Sequence, residues 1–311
     1  MVEFPRLFPR RLRPGDTVAV VAPSGPVDPA RLERGKEVLK GLGLDVIVGS
    51  RVLGRERFLA GPDSARVVDL QAAWCDPAVS AVICARGGYG ATRLLEPLDW
   101  DAMRAAGPKI LLGSSDITAL HRAFARELGV ATLFGPMPAC SLLGAPEGPE
   151  PETLSRLRAA LFEGGSAGPI RGDRVLVPGR AEGPVGGGNL SLLAALCGTP
   201  YGFRADGHIV LLEDVGEQPY RIDRMLTQLL QAGSLDGAAG FALGSWVGCG
   251  DPDDVLAVLT DRLAPLGVPI VAGLPVGHGS PQFSLWMEAD GVIDTQSCSM
   301  TGLFRDPEGA P

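Results

Sequence analysis

Apolar and polar positions follow two alternating rhythms along the 311-residue chain. "TVAVVAP" (17–23) is continuously apolar and rich in valine, the pattern of a strand buried on both faces. "DPARLERGKEVLKGLG" (28–43) has helical spacing: Asp28 can cap it, and Leu32, Val38, Leu39 and Leu42 share one face. The pair of rhythms then repeats. "DVIVG" (45–49), "VSAVICA" (79–85), "PKILLG" (108–113) and "ATLFG" (131–135) read as strands. "DSARVVDLQAAWCD" (63–76) and "DITALHRAFARELG" (116–129) read as helices. Apolar strands alternating with helices predict an α/β fold. Its first part is a Rossmann- or flavodoxin-like parallel sheet covered on both faces.

The rhythm breaks over 141–184, which holds one helix ("PETLSRLRAALFEG", 151–164) in Pro- and Gly-rich surroundings. A domain boundary is placed here: residues 1–165 form the N-terminal α/β domain and 166–311 a second, smaller, β-rich α/β domain. In the second part "NLSLLAALCG" (189–198), "YRIDRMLTQLLQAG" (220–233) and "PDDVLAVLTDRLAPLG" (252–267) read as helices. "HIVLLED" (208–214), "GFALGSW" (240–246) and "PIVAG" (269–273) read as strands. "FSLWMEADGVID" (283–294) suggests a hairpin around Asp290-Gly291.

Composition narrows the function classes. A formal net charge of −8 repels phosphate backbones and argues against nucleic acid as a partner. The basic stretch "FPRLFPRRLRPG" (4–15) reads as a solvated arm. No apolar run approaches the roughly 18 residues of a membrane helix, and the first residues lack the apolar core of a signal peptide. The six cysteines form no C-x-x-C pair and sit mostly in apolar segments, as expected of buried thiols in a reducing cytoplasm. Widely spaced thiols and three histidines give no metal-binding pattern.

In an open parallel sheet, ligands bind beyond the carboxyl ends of the strands. Three loops lie there: "APSG" (22–25), "ARGGYGA" (85–91) and "GSSD" (113–116). A strand, a tight turn and an immediate helix, as around "GSSD", is the layout of a nucleophile elbow. A serine in that turn projects above the sheet, and the next amide lies at a helix N-terminus that favours an oxyanion. An N-cap serine has the same local pattern. The glycine usual two places after the nucleophile is replaced by Ile117. A serine nucleophile needs a base. His121 lies down the helix, His208 lies at the amino end of a strand, and His278 lies in the Gly-rich loop "LPVGHGSPQ" (274–282), which leaves His278 as the candidate. Glu213, Asp214, Glu217 and Asp223 are the acids available to orient it, with Glu213 at the end of an apolar strand. Asp214 and Glu217 could equally cap the next helix. Gly87 and Gly88 in "RGGYG" allow close backbone approach and could supply a second oxyanion amide, or form a plain turn. Arg86 beside them is a candidate for the substrate's carboxylate.

Several segments together resemble the LD-carboxypeptidases, serine peptidases that include the microcin C immunity peptidases. They are "VAPSGP" (21–26), "RFLAGPDSARVVDLQAAWCDPAVSAVICARGGYGATRLLEPLDW" (57–100), "GSSDITALHRAF" (113–124), "GPVGGGNLSLLAALCGTPY" (183–201), "IVLLEDVGEQPYRIDRML" (209–226) and "LPVGHG" (274–279). The resemblance implies a Ser115–Glu213–His278 triad, with oxyanion amides at Gly88 and Asp116. It chooses Ser115 over Ser114 and Glu213 over Glu217. It also implies no metal or other cofactor, a cytoplasmic homodimer, and a second domain carrying the acid and the histidine. Many relatives have an aromatic residue where this chain has Ser114. The expected activity is hydrolysis before a C-terminal D-alanine of a muropeptide, in peptidoglycan recycling. A microcin-type acyl-sulfamoyl-adenylate peptidase would use the same triad, with an aromatic ring to stack on adenine. A non-enzymatic small-molecule binder would use the glycine loop to hold an anion. A nucleotide-dependent enzyme is disfavoured by the incomplete phosphate motif.

Overall fold

The computed structural model describes residues 6–164 and 168–304. The first half contains β1 (Thr17–Val21), α1 (Pro29–Gly41), β2 (Asp45–Val48), α2 (Asp63–Cys75), β3 (Val79–Cys84), α3 (Trp100–Ala105), β4 (Ile110–Gly113), α4 (Thr118–Leu128), β5 (Thr132–Phe134) and α5 (Pro151–Phe162). The second half begins with β6 (Ile170–Arg171), β7 (Arg174–Val177), β8 (Arg180–Asn189), α6 (Leu190–Leu196), β9 (Ile209–Val215) and α7 (Pro219–Gln231). It ends with β10 (Gly240–Val247), α8 (Pro252–Leu263), β11 (Ile270–Ala272), β12 (Leu285–Met287), β13 (Asp290–Asp294) and β14 (Ser299–Leu303).

A six-stranded sheet has the order β12-β5-β4-β3-β1-β2. Its five N-terminal strands are parallel, and β12 pairs antiparallel with β5 at one edge. The chain leaves β1 for β2 on one side and returns to β3 on the other, so the strand order reverses between β1 and β3. The loops after these two strands flank the crevice where such sheets bind ligands. Separate apolar clusters cover the two faces. Leu39, Leu157 and Leu161 pack on one, and Trp74, Met103 and Phe124 on the other. Asp28 caps α1, its carboxylate accepting from the Arg31 amide at 2.8 Å, as the sequence suggests.

The second sheet has eight strands in the order β6-β14-β13-β8-β9-β10-β11-β7. Strands β8 to β11 run parallel at its centre. Glycines hide β8 in the sequence. Five of its ten residues are Gly or Pro, both poor strand formers. Its Gly187 and Gly188 take positive φ, and a Cβ on Gly187 would lie 2.3 Å from the Leu211 carbonyl oxygen. The close approach to β9 therefore requires glycine. Strands β6, β7 and β14 are likewise absent from the sequence reading.

The hairpin expected around Asp290-Gly291 does not form. Both residues lie inside β13, which pairs with β8 and β14. Strand β12 joins the other sheet, so the apolar run Leu285–Met287 is buried between layers. The turn falls at Glu288, whose φ of 63° carries the chain from one sheet to the other. Glu288 is held by Arg122 of α4 at 2.8 Å and faces the His208 Nε2 at 3.3 Å. Among the described residues, no helix is long and apolar enough to cross a membrane.

Burial pushes the Glu288 carboxyl upward, but the His208 contact and the Arg122 charge outweigh it and hold it below the ordinary 4.5. A carboxyl lowered in the folded state stabilises above its unfolded value and loses that contribution as pH falls through the folded value. Glu288→Gln is therefore expected to cost about 2–3 kcal/mol in denaturant unfolding at neutral pH. The difference from wild type should shrink as pH drops below the ordinary 4.5. An undiminished difference in acid would mean that the turn geometry, and not the ion pair, carries the effect.

Candidate active site

Strand β4 ends at Gly113, and the chain turns at once through a 3-10 segment, Ser115–Ile117, into α4. Ser115 has a φ of 62°, a left-handed conformation that a non-glycine residue holds only when its surroundings impose it. This strained turn between strand and helix is the geometry that a nucleophile elbow would require. The structure also accounts for the missing glycine at Ile117. A Cβ on Gly113 would lie 2.8 Å from both γ carbons of Ile117, so room at 113 admits the branched side chain at 117.

Two loops converge over this turn, and the Asp116 carboxylate ties them to it. Its Oδ2 accepts from Ser24 Oγ of the loop after β1 at 2.6 Å. It also accepts from the Ala91 amide of the loop after β3 at 2.8 Å. Burial pushes the Asp116 carboxyl above its usual value, despite these bonds and the nearby Arg66 charge. Arg66 adds a second tie: Nη1 donates to the Gly90 carbonyl at 2.9 Å and to the Pro23 carbonyl, and Nη2 pairs with Asp63. The glycine loop therefore lies directly on the serine. A Cβ on Gly87 would sit 2.8 Å from Ser115 Cβ and 3.1 Å from its Oγ. Gly88 has a φ of 118°, and its Cβ would press on the Gly25 backbone.

The second sheet brings the acid and the histidine. Glu213 lies within β9 and is fully buried. Its Oε2 is 2.6 Å from His278 Nδ1. A carboxylate can only accept here, so Nδ1 carries the proton and Nε2 keeps its lone pair. Desolvation pulls His278 down, but the bond to Glu213 and its charge prevail and raise it above the ordinary 6.5. Burial raises Glu213 in turn, against the pull of His278. The loop fits because Gly277, at φ 117°, has no Cβ: one would lie 2.5 Å from Glu213 Oε2. Ser245 Oγ accepts from the Gly279 amide at 2.9 Å and holds the loop from behind.

Ser115 and His278 line one cavity of about 390 Å³, together with Arg86, Gly88 and Gln282. No hydrogen bond joins the two among the described contacts. Apo catalytic contacts are often long and tighten with substrate bound. Ser114 is buried, and its Oγ accepts from Gln282 Nε2 at 3.3 Å. Arg86 is exposed on the wall and donates to the Pro26 carbonyl at 2.9 Å.

The other sequence candidates lie elsewhere. His121 is buried: Nε2 donates to the Gly113 carbonyl at 3.0 Å, and Nδ1 accepts from the Thr132 hydroxyl at 2.8 Å. Burial pushes it down to about 4, so it is a neutral prop under the elbow. Asp214 and Glu217 do not cap α7, whose N-cap is Gln218. Asp214 instead accepts from the Ser191 amide and hydroxyl, at 2.8 and 2.7 Å, at the start of α6. Glu217 pairs with Arg221, and Asp223 with Arg262.

Sequence reasoning missed the carboxylate of Asp116, Arg66 and Asn189. Asn189 Nδ2 donates to Glu213 Oε1 at 3.3 Å and to Asp214 Oδ1 at 3.0 Å. Its amide donates to Thr118 Oγ1 of α4 at 3.1 Å. The readable signal for Asn189 was a polar residue closing an apolar, glycine-rich run.

Comparison with known proteins identifies the family. Residues 18–135 match the LD-carboxypeptidase N-terminal domain, and residues 182–293 the LD-carboxypeptidase C-terminal domain. A putative carboxypeptidase of Streptomyces coelicolor is 50% identical over 94% of this chain and 95% of its own. The murein tetrapeptide carboxypeptidase of Pseudomonas aeruginosa is 36% identical over 85% of this chain and 88% of its own. The crystal structure of the muramoyltetrapeptide carboxypeptidase from Oxalobacter formigenes superposes with a TM-score of 0.82 at 30% identity, covering 93% of this chain and 99% of that one. This chain belongs to the LD-carboxypeptidase family.

Proposed function

We propose that this protein is a serine L,D-carboxypeptidase that hydrolyses the bond before a C-terminal D-amino acid, D-alanine of a muropeptide. The observation that carries the reading is the buried Glu213–His278 pair, which opens onto the same cavity as the strained Ser115. Ser115 Oγ attacks the scissile carbonyl while His278 Nε2 takes its proton. Glu213 fixes the imidazole and stabilises the imidazolium. The amides of Gly88 and Asp116 receive the oxyanion. That of Asp116 lies in the first turn of a helix, where N–H groups lack intrahelical partners. Collapse of the intermediate breaks the C–N bond, and His278 gives its proton to the leaving amine. Water, deprotonated by the same nitrogen, then releases the acyl group from Ser115. Arg86 holds the terminal carboxylate of the substrate.

In the division at 165/166, the first domain brings Ser115, Gly88 and Asp116 and the second brings Glu213 and His278. The reading includes a cytoplasmic homodimer acting in peptidoglycan recycling; the described cysteines are all free thiols, as a reducing compartment requires. An acyl-sulfamoyl-adenylate would present a purine, and none of the described residues lining the cavity is Phe, Tyr or Trp.

The direct test is mass spectrometry on a tetrapeptide muropeptide. Wild type should release one alanine, and Ser115→Ala and His278→Ala should each lower kcat by about 10⁴-fold or more. Release that survives Ser115→Ala would remove the elbow from the mechanism. The pH profile supplies a second test. His278 acts as a base when neutral and its pKa is raised, so kcat/KM should fall on the acid side with a midpoint above the ordinary 6.5. Glu213→Gln should move that midpoint down, because the charge that raises it is gone. Gly88→Ala should lower kcat by about 10²–10³-fold by displacing one oxyanion donor, with folding monitored by circular dichroism.

A further inference from the structure

The cavity carries a second arginine that the reaction does not use. Arg31 lies in the first turn of α1 and lines the catalytic cavity with Arg86. Its backbone is fixed by the cap, because the Asp28 carboxylate accepts from the Arg31 amide at 2.8 Å. Its guanidinium is exposed and makes no hydrogen bond or ion pair among the described residues. Arg34, one turn on, differs: its Nε donates to the Gly144 carbonyl at 2.8 Å.

The Asp28 carboxyl is held below its ordinary value first by the Arg31 amide and also by the Arg31 charge, yet no ion pair joins the two side chains among the described residues. The first turn of a helix favours acidic residues, and a cation there opposes the helix dipole. The first turn of α1 contains no acid, although acidic residues outnumber basic ones in the chain, 36 to 28. The charged side chains on the cavity wall are two guanidiniums, the Asp28 carboxylate, already engaged by the Arg31 amide, and His278. A terminal carboxylate occupies one guanidinium. The other is free to bind a second anionic group of the same substrate.

We propose that Arg31 is a specificity-determining residue that binds a second carboxylate of the substrate, so that the enzyme selects acidic peptides. This rests on the carboxypeptidase reading above. The interaction lies at the exposed mouth, away from the reacting atoms, so it acts on binding and not on the chemical step.

The test uses two synthetic tetrapeptides ending in D-alanine: one has a free side-chain carboxylate, and in the other that group is amidated. Wild type should favour the acidic peptide by about tenfold in kcat/KM, the size expected of one charge-assisted contact. Arg31→Ala should raise KM for the acidic peptide about tenfold, leave kcat within about twofold, and leave the amidated peptide unaffected. Arg31→Lys should restore part of the preference. Added salt should raise KM for the acidic peptide in wild type and not in Arg31→Ala. Equal effects of Arg31→Ala on both peptides, or none on either, overturn the assignment and leave the carboxypeptidase reading standing. Failure of wild type to cleave either peptide overturns both.

Discussion

The buried carboxylate of Asp116 is the constraint on which the site depends. It follows the strained Ser115 directly, so its position and that of the serine are one problem. By accepting from Ser24 and from the Ala91 amide, it joins the loops after β1 and β3 to the turn after β4. Those loops sit where the strand order reverses, and side chains there have few neighbours of their own element to lean on. Burial makes the charge costly, so a partner lost at this point leaves an uncompensated acceptor inside the protein. The glycine loop must stay over the serine for the carboxylate to remain satisfied. Its amides are therefore held in place over the serine, the preorganisation that the proposed oxyanion site would need.

The same logic connects the two sheets. Ser115 leads into α4, and Thr118 on that helix accepts from the Asn189 amide at the end of β8. Asn189 in turn donates to both Glu213 and Asp214 on the neighbouring β9. One side chain and one amide thus tie the helix that follows the serine to the strand that carries the acid. Arg122 of α4 makes a further tie at Glu288, where the chain crosses between sheets. The relative placement of Ser115 and His278 is set by these contacts and not by either sheet alone.

The architecture was legible where a continuous β-branched run or a one-faced helical spacing marked the element. Strands such as β1 and β3 and helices such as α1 and α2 appear in the sequence within a residue or two of their ends, because a parallel sheet leaves a continuous apolar signature. Strand β8 was not legible. Its glycines serve close packing against β9, which no local pattern encodes. The apolar run at β12 is locally consistent with a hairpin, and only the vacant edge beside β5 decides its fate. At the site, eliminating histidines by position pointed to His278, and the structure brings it to Glu213, 65 residues away in sequence. The side-chain tie made by Asp116 could not be read, since its partners are 92 and 25 positions distant.

The two buried carboxylates, Asp116 and Glu213, meet different fates for a physical reason. Both are raised by desolvation. The hydrogen bonds to Asp116 come from a neutral hydroxyl and a backbone amide, with the Arg66 charge acting only at a distance, so its role is geometric. Glu213 faces an imidazole at 2.6 Å, a group that can itself take a positive charge. Each proton that reaches His278 makes the buried Glu213 less costly, and the reverse holds for the imidazolium. The cost of burying the acid is thus repaid at the moment the histidine becomes charged, which in serine catalysis is the transition state. Gly277 permits this by leaving the space a Cβ would fill beside Oε2, so the contact can be short without a bend in β9. In the proposed mechanism, the glycine next to the histidine is therefore as much a part of the base as the carboxylate behind it.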